Sequence, residues 1–237
     1  MSGKPDGRQA SPLEPRVQGR FARIATAETF FLLRSHPIRV STTPPDRDTL
    51  RSELRQRRHE LPANARIAAA DALAQNLFGS ALLPSQGYVA GYWANDGEIG
   101  LHVVQMRLPA SLIYCLPILH TDRTLRFAPW RAGDPLVTNR FGIPEPAVTP
   151  DSALPASEMA MLILPLVGFD AACNRLGMGG GWYDRSLAFR TTPNPAPRLV
   201  GAAFDCQKVD AVTPQPWDVR LHAVCTERAI YPSKEIA

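Results

Sequence analysis

At 237 residues, with 45% hydrophobic and 20% charged residues, the chain has the composition of a globular protein with a substantial core, which excludes global disorder. Every apolar run is interrupted well before the roughly 18 to 20 residues that a membrane-spanning helix needs, so an integral membrane protein is excluded as well. The four cysteines are scattered and form no CxxC or Cys/His cluster. The sequence therefore predicts neither a zinc site nor a disulfide framework, and a reducing, cytoplasmic compartment is the simpler interpretation.

The net charge of +4 is concentrated at the N-terminus. Residues 1–45 carry seven Lys or Arg and three Asp or Glu, whereas the rest of the chain carries nineteen of each. Because this body is neutral, the composition gives poor support for a nucleic-acid-binding surface. We expect residues 1–45 to be a basic, flexible extension and residues 46–237 to form the folded domain. An organellar presequence is the alternative for the extension, although its prolines weaken an amphipathic helix there.

The first half of the expected domain alternates helical and extended patterns. Asp46 is the predicted N-cap of a helix that runs to about residue 60, on which Arg47 and Arg51 are four residues apart and so share one face. The patterns that follow predict a helix over 66–78, a strand over 88–93 ended by the turn signal Asn95-Asp96-Gly97, a helix over 98–107 and a strand over 112–119.

The second half contains the clearest buried strand of the sequence. Residues 161–167 are continuously apolar, which is typical of a strand buried on both faces of a parallel sheet. The flanking patterns predict a strand over 124–130, a long ordered loop or lid over 131–157, and strands over 199–204 and 223–230. Strands that alternate with helices predict an α/β fold with three layers, α/β/α, around an open, mostly parallel, Rossmann-like sheet. Ligands of such sheets lie beyond the carboxyl ends of the strands.

A glycine-rich segment follows the buried strand. Four of the five positions 177–181 are glycine, which is costly in conformational entropy. Successive glycine N–H groups can form a concavity for an anion, and the flanking Arg175 and Arg185 can bind phosphate oxygens in bidentate fashion. Asp184 beside such a loop would suit Mg²⁺. The segment is neither a Walker A motif nor a GxGxxG fingerprint, so residue types alone leave a tight structural turn and a phosphate site equally open.

The complete segment RLGMGGGWYDR, residues 175–185, resembles the signature of the 5-formyltetrahydrofolate cyclo-ligase family, also called 5,10-methenyltetrahydrofolate synthetases. The resemblance covers about residues 46–231 and leaves the N-terminal extension unexplained. Other segments that resemble the family are Arg47 with Arg51, Gly97-Glu98, Phe141 to Pro146, Leu164 to Asp170, Phe204 to Gln207, Val209-Asp210, and Trp217-Asp218 through Glu227.

Three residues depart from the family pattern. Trp182 stands where Tyr is usual, Arg47 where Lys is common, and His222 where an acid is frequent. Trp cannot accept a hydrogen bond, and Arg presents a planar fork where Lys presents a point charge, so the departures at 182 and 47 are expected to alter ligand geometry. We interpret His222 as a surface or strand-edge residue without a catalytic role.

The resemblance implies cyclisation of 5-formyltetrahydrofolate to 5,10-methenyltetrahydrofolate with ATP and Mg²⁺, through a phosphorylated formyl group and with release of ADP and phosphate. It implies Arg175 and Asp184 as catalytic residues. The implied ATP-binding residues are Arg47, Arg51, Arg175, Gly177, Gly179, Gly180, Gly181, Tyr183 and Arg185. The implied folate-binding residues are Glu98, Met178, Trp182 and Trp93, and the implied Mg²⁺ ligands are Asp184 and Asp210.

Each of these assignments has a structural alternative. Arg47 and Arg51 would also suit a solvated helix face, Glu98 the first turn of a helix, and Asp184 or Asp210 a cap. For the whole protein, the alternatives are a non-catalytic RNA- or protein-binding module on the same fold, or a different ATP-dependent carboxylate or formyl ligase. We expect small-molecule substrates, neither nucleic acid nor membrane as a partner, and a monomer or weak homodimer.

Overall fold

A computed structural model describes residues 46–190 and 197–234, and over these residues strands alternate with helices. The predicted extension, residues 1–45, lies outside the described residues. The elements in chain order are α1 Arg47–His59, α2 Ala63–Phe78, β1 Gly87–Ala90, α3 His102–Arg107, β2 Leu112–Leu119, β3 Leu125–Pro129, β4 Leu136–Thr138, β5 Pro144–Pro146, β6 Met159–Pro165, β7 Gly168–Phe169, β8 Arg175–Leu176, α4 Trp182–Ser186, β9 Arg198–Ala202, β10 Ala223–Cys225 and β11 Ile230–Pro232.

Seven of the strands form one central sheet in the order β11-β10-β9-β6-β1-β2-β3. The five inner strands pair in parallel, and the two edge strands, β3 and β11, pair antiparallel with their neighbours. The central strand β6 is buried along nearly its whole length, as its continuous apolar run predicts. The prediction of an α/β fold with an open, mostly parallel sheet is confirmed.

Helices cover one face of this sheet. The buried side chains Leu73 and Leu77 of α2 and Val104 of α3 pack against sheet residues such as Met161 and Val200. On the opposite face, residues around α4 and the β7–β8 hairpin pack on the other side of the same strands, among them Leu187, Phe169 and Leu164. No helix among residues 46–190 and 197–234 is long and apolar enough to cross a membrane.

Helix α1 lies beside the β7–β8 hairpin. Its N-cap is Asp46, whose carboxylate accepts hydrogen bonds from the backbone N–H groups of residues 48 and 49, as the sequence predicts. Leu54 is fully buried in a small cluster with Val167 and Leu176. Gly168 gives this side chain its space, since a Cβ atom there would lie 2.4 Å from the Leu54 side chain. Leu54 therefore anchors the helix through its apolar face.

The structure corrects three predicted elements. The helix predicted over 98–107 begins only at His102, because the chain turns through Asp96 with φ at +49° and stays irregular to residue 101. The predicted loop over 131–157 contains the β4–β5 hairpin, whose three-residue strands are too short to show alternation. The strand predicted over 223–230 is the hairpin β10–β11, in which the chain reverses between Cys225 and Ile230.

The order of the strands creates a switch point beside β1. From β1 the chain continues outward through β2 and β3 on one side, whereas β6, β9 and β10 follow on the other side. The connections leave the carboxyl ends of β1 and β6 in opposite directions, and this opens a crevice between them. The functional site is therefore expected where these two strands end.

Candidate active site

A cavity of about 690 Å³ lies at the carboxyl ends of β1 and β6, which is the size of a typical small-molecule site. Its walls come from α1, the loop after β1, the β4–β5 hairpin, the glycine loop 177–181 and the segment 215–218. Most of the residues predicted from the sequence line it: Arg47, Arg51, Trp93, Glu98, Arg175, Gly177, Met178, Gly179, Gly180, Gly181, Trp182, Tyr183 and Asp184. Two predicted residues, Arg185 and Asp210, are not among the lining residues.

The glycine loop faces an arginine of α1. Gly179 and Gly181 have φ angles of +88° and +64°, in the left-handed region that favours glycine. A Cβ atom on Gly179 would lie 3.6 Å from the guanidinium of Arg51, whose Nε donates a 2.9 Å hydrogen bond to the carbonyl of Gly177. Gly177 itself has no such φ angle. The left-handed backbone therefore explains Gly179 and Gly181. Gly180 has another cause, since a Cβ atom there would lie 2.9 Å from the Trp182 side chain, and Gly177 has neither.

Three arginines bring positive charge to the cavity. Arg175 is only 7% exposed, contacts the carboxylate of Asp184, and donates from Nε to the carbonyl of Val219 at 3.3 Å. Arg47 donates from Nη1 to Asp218 at 2.9 Å, and its buried Nε has no hydrogen-bond partner among the described residues. A buried N–H group without a partner is costly, so it is a donor in need of an acceptor. With Arg51, these side chains form a wall suited to an anionic ligand.

One carboxylate oxygen of Asp184 has hydrogen-bond partners, and the other has none within the described residues. Its Oδ1 contacts Arg175 and accepts a weak 3.4 Å hydrogen bond from the N–H of Val219, whereas Oδ2 has no hydrogen bond within the described residues. Residues 46–190 and 197–234 contain no group of three or more His, Cys, Asp or Glu that could hold a metal ion. One carboxylate oxygen combined with phosphate oxygens is, however, the usual coordination of Mg²⁺. Asp184 fits this role, and the exposed Asp210 lies outside the cavity lining.

Glu98 lines the same cavity from the loop after β1. Its Oε2 accepts a 3.0 Å hydrogen bond from the backbone N–H of Asn95, and burial raises its pKa to about 7. The neighbouring Tyr92 is buried and donates its hydroxyl hydrogen to the carbonyl of Ile99 at 2.7 Å. The sequence predicted Glu98 on a helix, but it lies in this irregular loop and lines the cavity.

Aromatic rings form much of the remaining surface. Trp182 meets Phe141 edge to face with ring centroids 6.0 Å apart, and Trp93 meets Trp130 in the same way at 5.8 Å. Trp217 lines the cavity with 67% of its surface exposed. Flat apolar rings beside charged walls suit a ligand with a planar heterocycle.

The prediction that Arg185 binds phosphate is not supported by its position. Its Nε donates to the carbonyl of Arg123 at 2.8 Å, its Nη2 donates to the carbonyl of Gly180 at 2.8 Å, and its guanidinium lies 5.4 Å from the ring centre of Trp182. These contacts stabilise the glycine loop from outside the cavity. His222 accepts a hydrogen bond from the N–H of Leu199 at Nδ1, and burial lowers its pKa, as expected of a residue with a structural role.

Several lining residues were not predicted as site residues. Asn139 and Phe141 come from the β4–β5 hairpin, and Gln215 and Asp218 come from an irregular segment far along the chain. The residue patterns at 141–146 and 217–218 were signals that could have found some of them. Their place in the cavity depends on tertiary contacts such as the Arg47–Asp218 ion pair, which joins residues 171 positions apart.

Comparison with known proteins identifies the family. The family model of the 5-formyltetrahydrofolate cyclo-ligase family matches residues 44–227. A 5-formyltetrahydrofolate cyclo-ligase of Haemophilus influenzae is 35% identical over 178 residues, which cover 74% of this chain and 94% of that protein. The protein of the same name from Escherichia coli K12 is 37% identical over 151 residues, covering 60% of this chain and 79% of that protein.

Solved structures share the fold. The NMR structure of Aquifex aeolicus 5,10-methenyltetrahydrofolate synthetase superposes with a TM-score of 0.68 at 22% identity, covering 79% of this chain and 93% of that chain. A 5,10-methenyltetrahydrofolate synthetase from Mycoplasma pneumoniae superposes with a TM-score of 0.58 at 22% identity, covering 77% of this chain and 99% of that one. With a family model that matches most of its length, the chain belongs to the 5-formyltetrahydrofolate cyclo-ligase family and is an enzyme of that family.

Proposed function

We propose that this enzyme converts 5-formyltetrahydrofolate and ATP into 5,10-methenyltetrahydrofolate, ADP and phosphate, with Mg²⁺. The observation that carries the proposal is that one cavity is lined by two chemically different sets of residues. Arg47, Arg51, Arg175 and the glycine loop, called the phosphate side, suit phosphates, and Glu98 with the aromatic rings, called the folate side, suits a pterin. The family's name supports the folate substrate, and the cationic lining supports a nucleotide as the second one.

The chemistry needs an activated formyl oxygen. That oxygen is a poor leaving group, so it first takes the γ-phosphoryl group of ATP, which releases ADP and forms an imidate phosphate. N10 of the folate then attacks the formyl carbon and loses its proton, and the carbon–oxygen bond breaks to release phosphate. Both steps depend on positioning and on stabilisation of negative charge rather than on a covalent enzyme intermediate.

The residues of the phosphate side would bind and orient the nucleotide. Arg175 is almost fully buried, so its guanidinium is held in place where negative charge would develop on the transferred group. Arg47 lines the same cavity, where its guanidinium would contact the phosphates of ATP. Mg²⁺, held by Asp184 and the phosphates, would neutralise part of the phosphate charge.

The residues of the folate side would bind 5-formyltetrahydrofolate. Glu98 offers acceptor oxygens to the N–H donors of the pterin, and Trp182 and Trp93 offer ring surfaces for stacking. With a pKa near 7, Glu98 would gain or lose a proton at little cost at physiological pH. The surrounding rings would exclude water from the activated formyl group.

Turnover and one substitution test this proposal. The purified protein, mixed with 5-formyltetrahydrofolate and Mg-ATP, is expected to form the methenyl product, which is followed by its near-ultraviolet absorbance. Arg175→Lys should lose the bidentate guanidinium contact. We expect kcat/KM for ATP to fall by a factor equivalent to about 2 to 4 kcal/mol of lost transition-state stabilisation. Arg131→Lys, at an exposed arginine outside the cavity lining, is the matched control and should change nothing.

Two results would contradict the proposal in different ways. Failure of the wild-type protein to form the methenyl product would leave the family fold without this activity and favour the binding-module alternative. An active wild type with an unchanged kcat/KM in a folded Arg175→Lys variant would remove Arg175 from the phosphate site. The melting temperature of each variant separates loss of activity from loss of folding.

A further inference from the structure

Asp96 is surrounded by three basic side chains of α1. Its Oδ2 accepts hydrogen bonds from Arg55 Nε at 2.7 Å and Arg58 Nη2 at 2.5 Å, and its Oδ1 accepts from Arg55 Nη2 at 3.1 Å. Oδ1 also lies 3.0 Å from Nε2 of His59. The Arg55 guanidinium, ahead of the His59 and Arg58 contacts, holds the pKa of this carboxyl well below its usual range.

These contacts use the acceptor capacity of Asp96 completely. Each of its oxygens already has two partners, so the carboxylate has none left for a metal ion or a substrate, although it lines the cavity. Arg58 is fully buried and also reaches the carbonyl of Leu166 at 3.4 Å, at the end of β6. A buried arginine paired in this way fixes the carboxylate relative to both α1 and the sheet.

Asp96 in turn fixes the turn that carries Glu98. The Glu98 N–H donates to the carbonyl of Asn95 at 3.0 Å, and the Glu98 side chain accepts from the Asn95 N–H at 3.0 Å. Between them Asp96 has a φ of +49°, in the left-handed region, which Asp and Asn adopt at a smaller cost than most residues other than glycine. Strain of this kind persists only where surrounding contacts hold it, and here the contacts come from α1.

We infer that Asp96 is a positioning residue for Glu98: α1 holds its carboxylate so that the turn 95–98 presents Glu98 to the folate. The inference rests on the proposed role of Glu98 in folate binding. The same helix carries Arg47 and Arg51 toward the phosphate side. One row of cations on α1 therefore sets the geometry of both sides of the site.

A double-mutant cycle tests the inference. Asp96→Asn keeps the size of the side chain and tolerates the left-handed backbone, but it removes the charge that the arginines hold. We expect the KM and the calorimetric Kd for 5-formyltetrahydrofolate to rise about tenfold, the loss of one charged hydrogen bond, while KM for ATP changes less than about twofold. In a Glu98→Gln background, Asp96→Asn should add little further loss, because both act through one carboxylate.

Two further variants distinguish a loss of positioning from a loss of folding. Arg55→Met removes two of the hydrogen bonds to Asp96 from a half-exposed position and should give the same selective loss of folate affinity. Asp71→Asn, on α2, removes a surface ion pair with Arg107 of α3 and is the matched control, expected to leave the affinity for both substrates unchanged. Full additivity with Glu98→Gln, or an equal rise of KM for ATP, would overturn the positioning role. Calorimetry measures the affinity for 5-formyltetrahydrofolate even if the wild-type protein forms no methenyl product. Failure of the positioning role can therefore be distinguished from failure of the proposed reaction.

Discussion

Two acidic residues separated by one glycine have opposite electrostatic environments. Asp96 is surrounded by arginines, which hold its pKa far below the ordinary value, whereas burial raises the pKa of Glu98 to about 7. The fully buried Arg58 contacts Asp96 directly but only partly offsets the burial of Glu98. Paired groups whose surroundings separate their pKa values are typical of sites that divide labour between two carboxylates. Here one carboxylate stays charged and structural, and the other can change its protonation at neutral pH.

The raised pKa of Glu98 predicts a specific pH dependence of stability. Between its ordinary value of 4.5 and about 7, the folded protein keeps a proton that the unfolded chain has lost, so the free energy of unfolding falls as pH rises through this range. Glu98→Gln removes this titration. We expect the variant to be more stable than wild type by about 1 to 3 kcal/mol at pH 8 and to differ little at pH 5. Urea denaturation at the two pH values measures this, and a difference of equal size at both would contradict it.

Among the elements, α1 connects the most parts of the site. Arg51 contacts the glycine loop, Arg47 contacts Asp218, and Arg55 contacts the turn after β1. The apolar side of the helix is anchored by the fully buried Leu54. The helix therefore forms one rigid wall of the site. Its packing against the β7–β8 hairpin sets the positions of these arginines.

Removal of the anchor should affect both stability and nucleotide binding. Leu54→Ala leaves a cavity beside Gly168 and is expected to lower the free energy of unfolding by about 2 to 5 kcal/mol. Because the helix would shift at the position of Arg51, KM for ATP should rise. The matched control is Ile67→Ala on α2, where the side chain is 67% exposed and the change should stay within about 0.5 kcal/mol. Equal effects of the two substitutions, measured by urea denaturation, would show that Leu54 does not anchor α1.

Sequence patterns predict the local features of this protein and miss contacts between residues that are far apart in the chain. Arg47 and Arg51 were placed on one helix face from their spacing alone, and the buried strand β6 was found from its apolar run, because both signals are local. The family pattern of residues 175–185 added the glycine loop to the site. Nothing local shows that Arg185 donates to the carbonyl of Arg123, 62 residues away, and its assignment to phosphate stays a prediction. The hydrogen bonds from Arg55 and Arg58 to Asp96 were not predicted for the same reason, since the two arginines lie about 40 residues earlier.

At the scale of the whole molecule, the site belongs to the region that the family model covers. All the cavity-lining residues lie between Arg47 and Asp218, inside the match over residues 44–227. The basic segment 1–45 contributes none of the motifs on which the proposed reaction depends. We propose that residues 46–237 form the catalytic domain and that the segment before it serves another purpose.

Truncation tests that division. A chain that begins at Pro45 keeps Asp46 as the N-cap of α1 and every lining residue of the cavity. We expect it to unfold cooperatively and to retain kcat/KM for both substrates within about twofold of the full chain, since the removed residues hold no part of the described site. An insoluble or inactive product, compared with the full-length protein prepared in parallel, would place the first 44 residues within the functional unit.

The tryptophans of this protein are unusually placed. Of the four in the chain, Trp93, Trp182 and Trp217 line the cavity, and Trp130 packs edge to face against Trp93. None of them belongs to the fully buried core that the sheet and helices form. The tryptophan fluorescence of the folded protein therefore originates at the site or directly beside it, and a bound ligand is expected to change the surroundings of these rings. The chain carries its own optical reporter of substrate binding, without any added label.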